Sequence, residues 1–252
     1  MAELLLHRPG SRRVTLDQLR EIPPPEAMGA RHLPIPHAML VESLIKGIED
    51  KGASVSKMDL GIAAKGANLF GTMDIRWDTL TGTDVPALAR ERDIGTALGF
   101  RSSTQQKTAF KAVAGARTFV CDNMVLSGEE FVLSRKHTLY MNLPQVISTG
   151  INKFIAQAEV LKSDIDRLRD VAITENQAKE QIFDLFNTGT MPLHLFDDVA
   201  RFYLRPQEAH TDCHPRTLWG LANACTRAIK ILKPATHFNC ATNVGRHFKL
   251  AS

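Results

Sequence analysis

Between Ile151 and Ala172, apolar residues recur three and four positions apart: Ile151, Phe154, Ala158, Leu161, Ile165, Leu168 and Ala172. This is an a/d stripe of three heptads, and only a helix turns all of those side chains to one side. A helix of that length must bury its stripe. The reading here is packing within the chain, with a subunit contact as the alternative. The stripe is followed by Thr174-Glu175-Asn176-Gln177, which resembles a capping box opening a second helix through Phe186, ended by Asn187-Thr188-Gly189. Further helices are expected over Leu195–Leu204 and Arg216–Leu232.

Upstream the period changes. Val55–Leu60 and Asn68–Trp77 read as strands with Gly61 and Gly66 between them. Gly95–Arg101 and Gly115–Met124 read as two more, and the polar stretch Thr79–Arg92 as a loop. Ser102–Ala114 reads either as a helix carrying Ala109, Phe110 and Val113 near one face, or as extended chain. Met39, Leu40, Leu44 and Ile48 have helical spacing before a stop at Gly52. The first 36 residues read as an extended arm. Thr15–Gln18 could cap a short turn, and Pro23-Pro24-Pro25 and Leu33-Pro34-Ile35-Pro36 enforce extended paths. The expected fold is therefore α+β: an arm over 1–36, a helix-plus-antiparallel-sheet core over 37–142, and a mostly helical region over 143–252 packed on that core.

Composition narrows the class. At 252 residues, with 44% apolar and 23% charged residues, the chain is an ordinary globular one rather than a disordered or fibrous one. No apolar run approaches the roughly 18 residues of a membrane span. Met1–His7 does not read as a secretory signal. Cys121, Cys213, Cys225 and Cys240 lie far apart without a CxxC, so reduced thiols in a cytosol are the simplest expectation.

The net charge of +4 is unevenly spread. Ile94–Cys121 holds Arg101, Lys107, Lys111 and Arg117 and no acid. Cys213–Ser252 holds Arg216, Arg227, Lys230, Lys233, Arg246 and Lys249, again with no acid. Glu159–Asp212 carries eleven acids against six bases. Such segregation predicts either an anion-binding face or charges that pair across the fold. Phe100, Phe110 and Phe119 lie beside or near the first set of cations. In a strand, neighbours point to opposite faces, so core rings and an outward cationic row can coexist. Arg101, Lys107, Lys111 and Arg117 are the first candidates for phosphate contacts, with Arg227, Lys230 and Lys233 from the second segment.

Catalytic templates fit poorly. Gly61 and Gly66 have P-loop spacing, but Ala67 follows instead of Lys. GxGxxG, GxSxG and HExxH are absent. His210, Cys213 and His214, with Cys225, His237 and Cys240, offer zinc-type donors without the paired short spacings of a finger. Cys121 with His137 would suit a thiol nucleophile, but Cys121 ends an apolar run and reads better as a small core residue. Asp74, Asp122 and Glu129 have no spacing that specifies magnesium.

Four blocks carry a family resemblance. They are Pro36–Leu40; Lys65–Asp74; Gly115–Met124 with Ser127-Gly128-Glu129 and Lys136-His137-Thr138; and Thr217–Ala224. In order and spacing they resemble a phage/plasmid-like family of unknown function found in phages, prophages and conjugative plasmids. That family carries an Arg-Asn-Ser-His-Asp-Lys-Ser type stretch after its third strand, where this chain has Arg101-Ser102-Ser103-Thr104-Gln105-Gln106-Lys107. The cations are kept and the His-Asp pair is lost, which suits binding better than catalysis. The resemblance implies a mobile-element protein acting in a bacterial cytoplasm and assigns no catalytic residue. The helix–strands–helix order is also similar to RecT and Red-beta single-strand annealing proteins, in topology alone.

The expectation is a non-enzymatic protein, without cofactor or membrane anchor, that binds single-stranded DNA and assists annealing or recombination, with a homo-oligomer as one option for its assembly. The alternative is a modulator of a host defence or regulatory protein. A metal-dependent nuclease ranks third.

Overall fold

The computed structural model describes residues 11–77, 94–105, 109–118, 123–126, 133–206 and 216–250. The architecture is α+β. Its sheet is antiparallel in the order β1 (Ser11–Val14), β2 (Ala53–Ala63), β3 (Asn68–Trp77), β4 (Ile94–Ser103), β5 (Phe110–Thr118), β6 (Asn123–Leu126). β7 (Leu133–Arg135) pairs with β5 on the same side as β6, further along the strand. The helices are α1 (Leu16–Arg20), α2 (His37–Glu49), α3 (Leu143–Asp170), α4 (Glu175–Asn187), α5 (Phe196–Leu204), α6 (Leu218–Ala228) and α7 (Pro234–His247).

The heptad stripe forms the second half of α3. The helix begins at Leu143, where Asn142 accepts the Gln145 N–H as an N-cap and Pro144 sits in the first turn. It ends at Asp170, before the last stripe residue. Ala172 instead bridges to Thr217 in an isolated two-residue pairing that ties the α3–α4 link to the start of α6. The capping box at Thr174 is present, with Gln177 returning a hydrogen bond to the cap N–H.

Two hydrophobic cores share the sheet and α3. Leu143, Ile147, Ile151 and Phe154 of α3 join α2 and one sheet face through Leu69, Met73, Leu98, Phe100 and Phe110. Gly47 lets α2 approach closely, since a Cβ there would stand 2.6 Å from Ile147 Cγ2. Leu161, Ile165 and Leu168 join the second core, with α4–α7 and with Val113, Ala97 and Leu126 of the sheet.

Of the two readings of Ser102–Ala114 the extended one holds among its described residues, since β4 runs to Ser103 and β5 starts at Phe110. Two expectations are corrected. Gly115–Met124 is not one strand, because β5 ends at Thr118 and β6 starts at Asn123. The arm is not wholly extended. Its Ser11–Val14 is the edge strand β1 and its Leu16–Arg20 is α1, closed by the Thr15–Gln18 capping box. The helix at α7 was not anticipated. The loop expected over 79–92 lies outside the described residues. Among the described residues no helix is long and apolar enough to cross a membrane.

The rest of the arm is held by histidines. His137, 4% exposed, accepts the Ile35 N–H at Nδ1 (3.1 Å), so its proton sits on Nε2, which donates to Ser102 Oγ (2.9 Å). Burial, with His37 and His32 nearby, pushes His137 down to about 4. His37 reaches Gly66 O (3.0 Å) and is also pushed down, chiefly by burial.

Candidate nucleic-acid interface

The β4–β5 ladder places Arg101 directly opposite Lys111. Opposed residues of an antiparallel pair share a face. Leu98, Phe100, Phe110 and Ala112 alternate to the first core, so Arg101 and Lys111 point to the other side. The register extends this into one row across six strands: Arg13, Gly61, Phe70, Arg101, Lys111 and Ser134, each opposite the next. At 4.7–4.9 Å per strand, the row from Arg13 to Lys111 spans roughly 19 Å.

Charges along this face are treated unequally. Arg13 Nε pairs with Asp59 Oδ1 at 2.8 Å, and Asp59 is only 3% exposed. Lys57 stands opposite Asp74. Arg101 has no such carboxylate and forms no ion pair among the described residues. Its Nε is buried without a hydrogen-bond acceptor, and its guanidinium packs over the Phe238 ring of α7, 5.1 Å from the centroid. Burial alone lowers its pKa. A guanidinium does not escape by losing its proton. Nor does a lysine directly across the ladder relieve it, because opposed like charges destabilise a strand pair. An anion would satisfy Arg101.

The other predicted cations divide. Lys233 is exposed and is the N-cap of α7, five residues before Phe238. Lys230 lies half-buried in the 3-10 turn Ile229–Ile231. Arg227 is directed elsewhere, over the Phe202 ring of α5 at 4.2 Å. The backbone of Arg117 stands opposite Gly95 and Met124, farther along β5. Lys107 lies outside the described residues.

Two row members escaped the sequence reading. Arg13 belongs to the arm, whose short charged strand carries no alternation to read. Phe70 had a legible signal. The residues of β3 facing this side are Asn68, Phe70, Thr72, Asp74 and Arg76, in which Phe70 is the one large apolar side chain.

The rival chemistries find less. Among the described residues no three His, Cys, Asp or Glu side chains gather to hold a metal. Cys225 and Cys240 are buried, and Cys240, whose Sγ donates to Thr190 O at 3.7 Å, is pushed up to about 12 by burial. A thiol so raised is a poor metal ligand or nucleophile. His210, Cys213 and His214 lie outside the described residues, as do Cys121, Phe119, Asp122 and Glu129. Both ring nitrogens of His137 are already engaged in holding the arm.

No protein-family model matches the chain, and no curated protein or solved structure is significantly similar to it.

Proposed function

We propose that this chain is a non-enzymatic, phage- or plasmid-encoded protein that binds single-stranded DNA on the sheet face that carries Arg101, and that it assists annealing or recombination in a bacterial cytoplasm. One observation carries the reading: Arg101, part-buried and without an anionic partner, faces Lys111 across the ladder. Desolvating a guanidinium is costly unless it is paired, and perturbed, unpaired charges cluster at functional sites. A phosphodiester backbone supplies repeated anions at no sequence cost, so affinity should be salt-dependent and only weakly sequence-selective. Lys233, exposed at the N-cap of the helix whose Phe238 ring supports Arg101, is a further candidate cation.

The test is fluorescence anisotropy of a labelled single-stranded oligonucleotide over a salt series. A phosphate contact at Arg101 gives a log–log slope of at least about −0.7, or roughly a 2.6-fold loss of affinity for a fourfold rise in salt. Arg101→Gln should flatten that slope by about 0.7. Absence of binding at low salt would overturn the reading.

A protein-modulator reading has its own supporting observation. Phe183 and Leu193 are 61% and 76% exposed, near the edge-to-face Phe186–Phe196 pair that joins α4 to α5. Exposed large apolar side chains, where they gather into a patch, mark protein contacts. A Phe183→Asp variant that loses a stoichiometric host partner while keeping oligonucleotide affinity would favour it.

A further inference from the structure

We infer that Phe70 is a base-stacking platform, so that the sheet face selects unpaired nucleotides over duplex; this rests on the nucleic-acid reading above. The ring sits at the centre of the cationic row. Arg101 is its opposite neighbour on β4, and Gly61, its neighbour on β2, contributes no side chain. Beyond that gap, Arg13 stands opposite Gly61 on β1. The ring is thus flanked by a cation one strand away, at roughly 5 Å, and another two strands away, at roughly 10 Å.

Phe70 is not core. It is partly buried and belongs to neither hydrophobic cluster, whereas its strand neighbours Leu69 and Met73 are fully buried on the other face. The part of the ring left uncovered on this polar strand face is apolar surface that a base can cover. Its placement beside Arg101 matches part of the layout of a nucleotide in a single strand, a flat apolar base next to a phosphate, while Arg13 on the other side is already paired with Asp59. Sequence-tolerant single-strand binders combine these two elements, a ring under the base and a cationic groove along the backbone. A base inside a duplex has both faces stacked already and cannot lie on the ring without leaving its partner.

Three probes separate the ring from the cations: a labelled oligothymidylate, an abasic deoxyribose-phosphate strand of equal length, and a duplex. The wild type should prefer oligothymidylate to the abasic strand by roughly five- to 150-fold. Phe70→Leu should erase that preference while leaving abasic-strand affinity within about twofold, whereas Arg101→Gln should weaken both. A second variant guards against misfolding. Trp77 and Trp219 are 6% and 5% exposed, so Phe70→Trp adds an indole whose emission oligothymidylate should quench and the abasic strand should not. Equal wild-type affinity for the two strands, or equal emission of Phe70→Trp with either, would overturn the stacking role while leaving phosphate binding at Arg101 intact. Failure of the wild type to bind any of the three would overturn the nucleic-acid reading itself.

Discussion

Arg101→Met should make the unliganded protein more stable while weakening its hold on single-stranded DNA. The substitution keeps a flexible, apolar stem against Phe238 and removes the charge. One gain follows: a buried Nε–H without an acceptor costs about 1–3 kcal/mol. One loss opposes it: the guanidinium over the Phe238 ring at 5.1 Å contributes about 0.5–2 kcal/mol, part of which a thioether against the ring restores. The balance is a net stabilisation of about 1 kcal/mol, which for a chain of this size raises the melting midpoint by roughly 2–4 °C. Urea titrations of both proteins, with and without saturating oligonucleotide, measure it. Oligonucleotide should stabilise the wild type markedly and Arg101→Met little, because ligand stabilisation follows affinity. Destabilisation of unliganded Arg101→Met by more than about 1 kcal/mol would refute the reasoning, since Arg101 would then be a satisfied structural residue.

Three further outcomes are expected. Gly71→Ala should cost about 1–3 kcal/mol in a urea melt, because a Cβ there would stand 2.2 Å from Phe100 Cζ, and coupling to Phe100→Leu should recover part of that loss in a double-mutant cycle. Stability should fall as pH drops from about 6.5 to about 4, by on the order of 3 kcal/mol from His137 alone, because its folded pKa of about 4 lies below the unfolded value and the unfolded chain takes up the proton first. Stability melts across that window should show the slope in the wild type and a smaller one in His137→Gln. Thr174→Ala should lose about 1 kcal/mol through the α4 capping box, with no change in oligonucleotide affinity.

What the sequence disclosed follows from which patterns are local. The α3 stripe was legible because its 3.5-residue period repeats three times, but its first turns were not, since Ser148-Thr149-Gly150 breaks the propensity that tertiary packing restores. The segment around Phe110 stayed open because Ala109, Phe110 and Val113 fit a helical face as well as Phe110, Ala112 and Ala114 fit a strand face. The sheet decides, with small alanines on the face of β5 toward the first core, where Phe100 and Phe110 take up the volume. In α7, Phe238, Ala241 and Val244 have helical spacing and Pro234 is a start signal, so that helix was available to the reading and missed. Arg101 and Lys111 were identified as cations, but their pairing was not, because register is a property of two strands and a turn rather than of either segment.

The position of the cationic row also explains why binding and packing meet at one helix. α6 and α7 contact β6, so helical cover on the Arg101 side of the sheet comes from the β6 end. Phe238 reaches past it: one face of its ring supports the Arg101 guanidinium, while its edge lies 3.5 Å from where a Cβ on Gly99 would stand. Gly99 is two residues before Arg101 on the same strand face, and that Cβ would also meet Leu126 at 3.2 Å and Val113 at 3.5 Å. A Cβ at this position would press on Leu126 of the second core, while Phe238 and Val113 would stand at ordinary contact distance. The α7 ring that holds Arg101 is thus packed directly over the strand that carries it. The guanidinium is thus positioned by core packing rather than by a carboxylate, and in the proposed DNA contact it is the phosphate that would supply the missing anion.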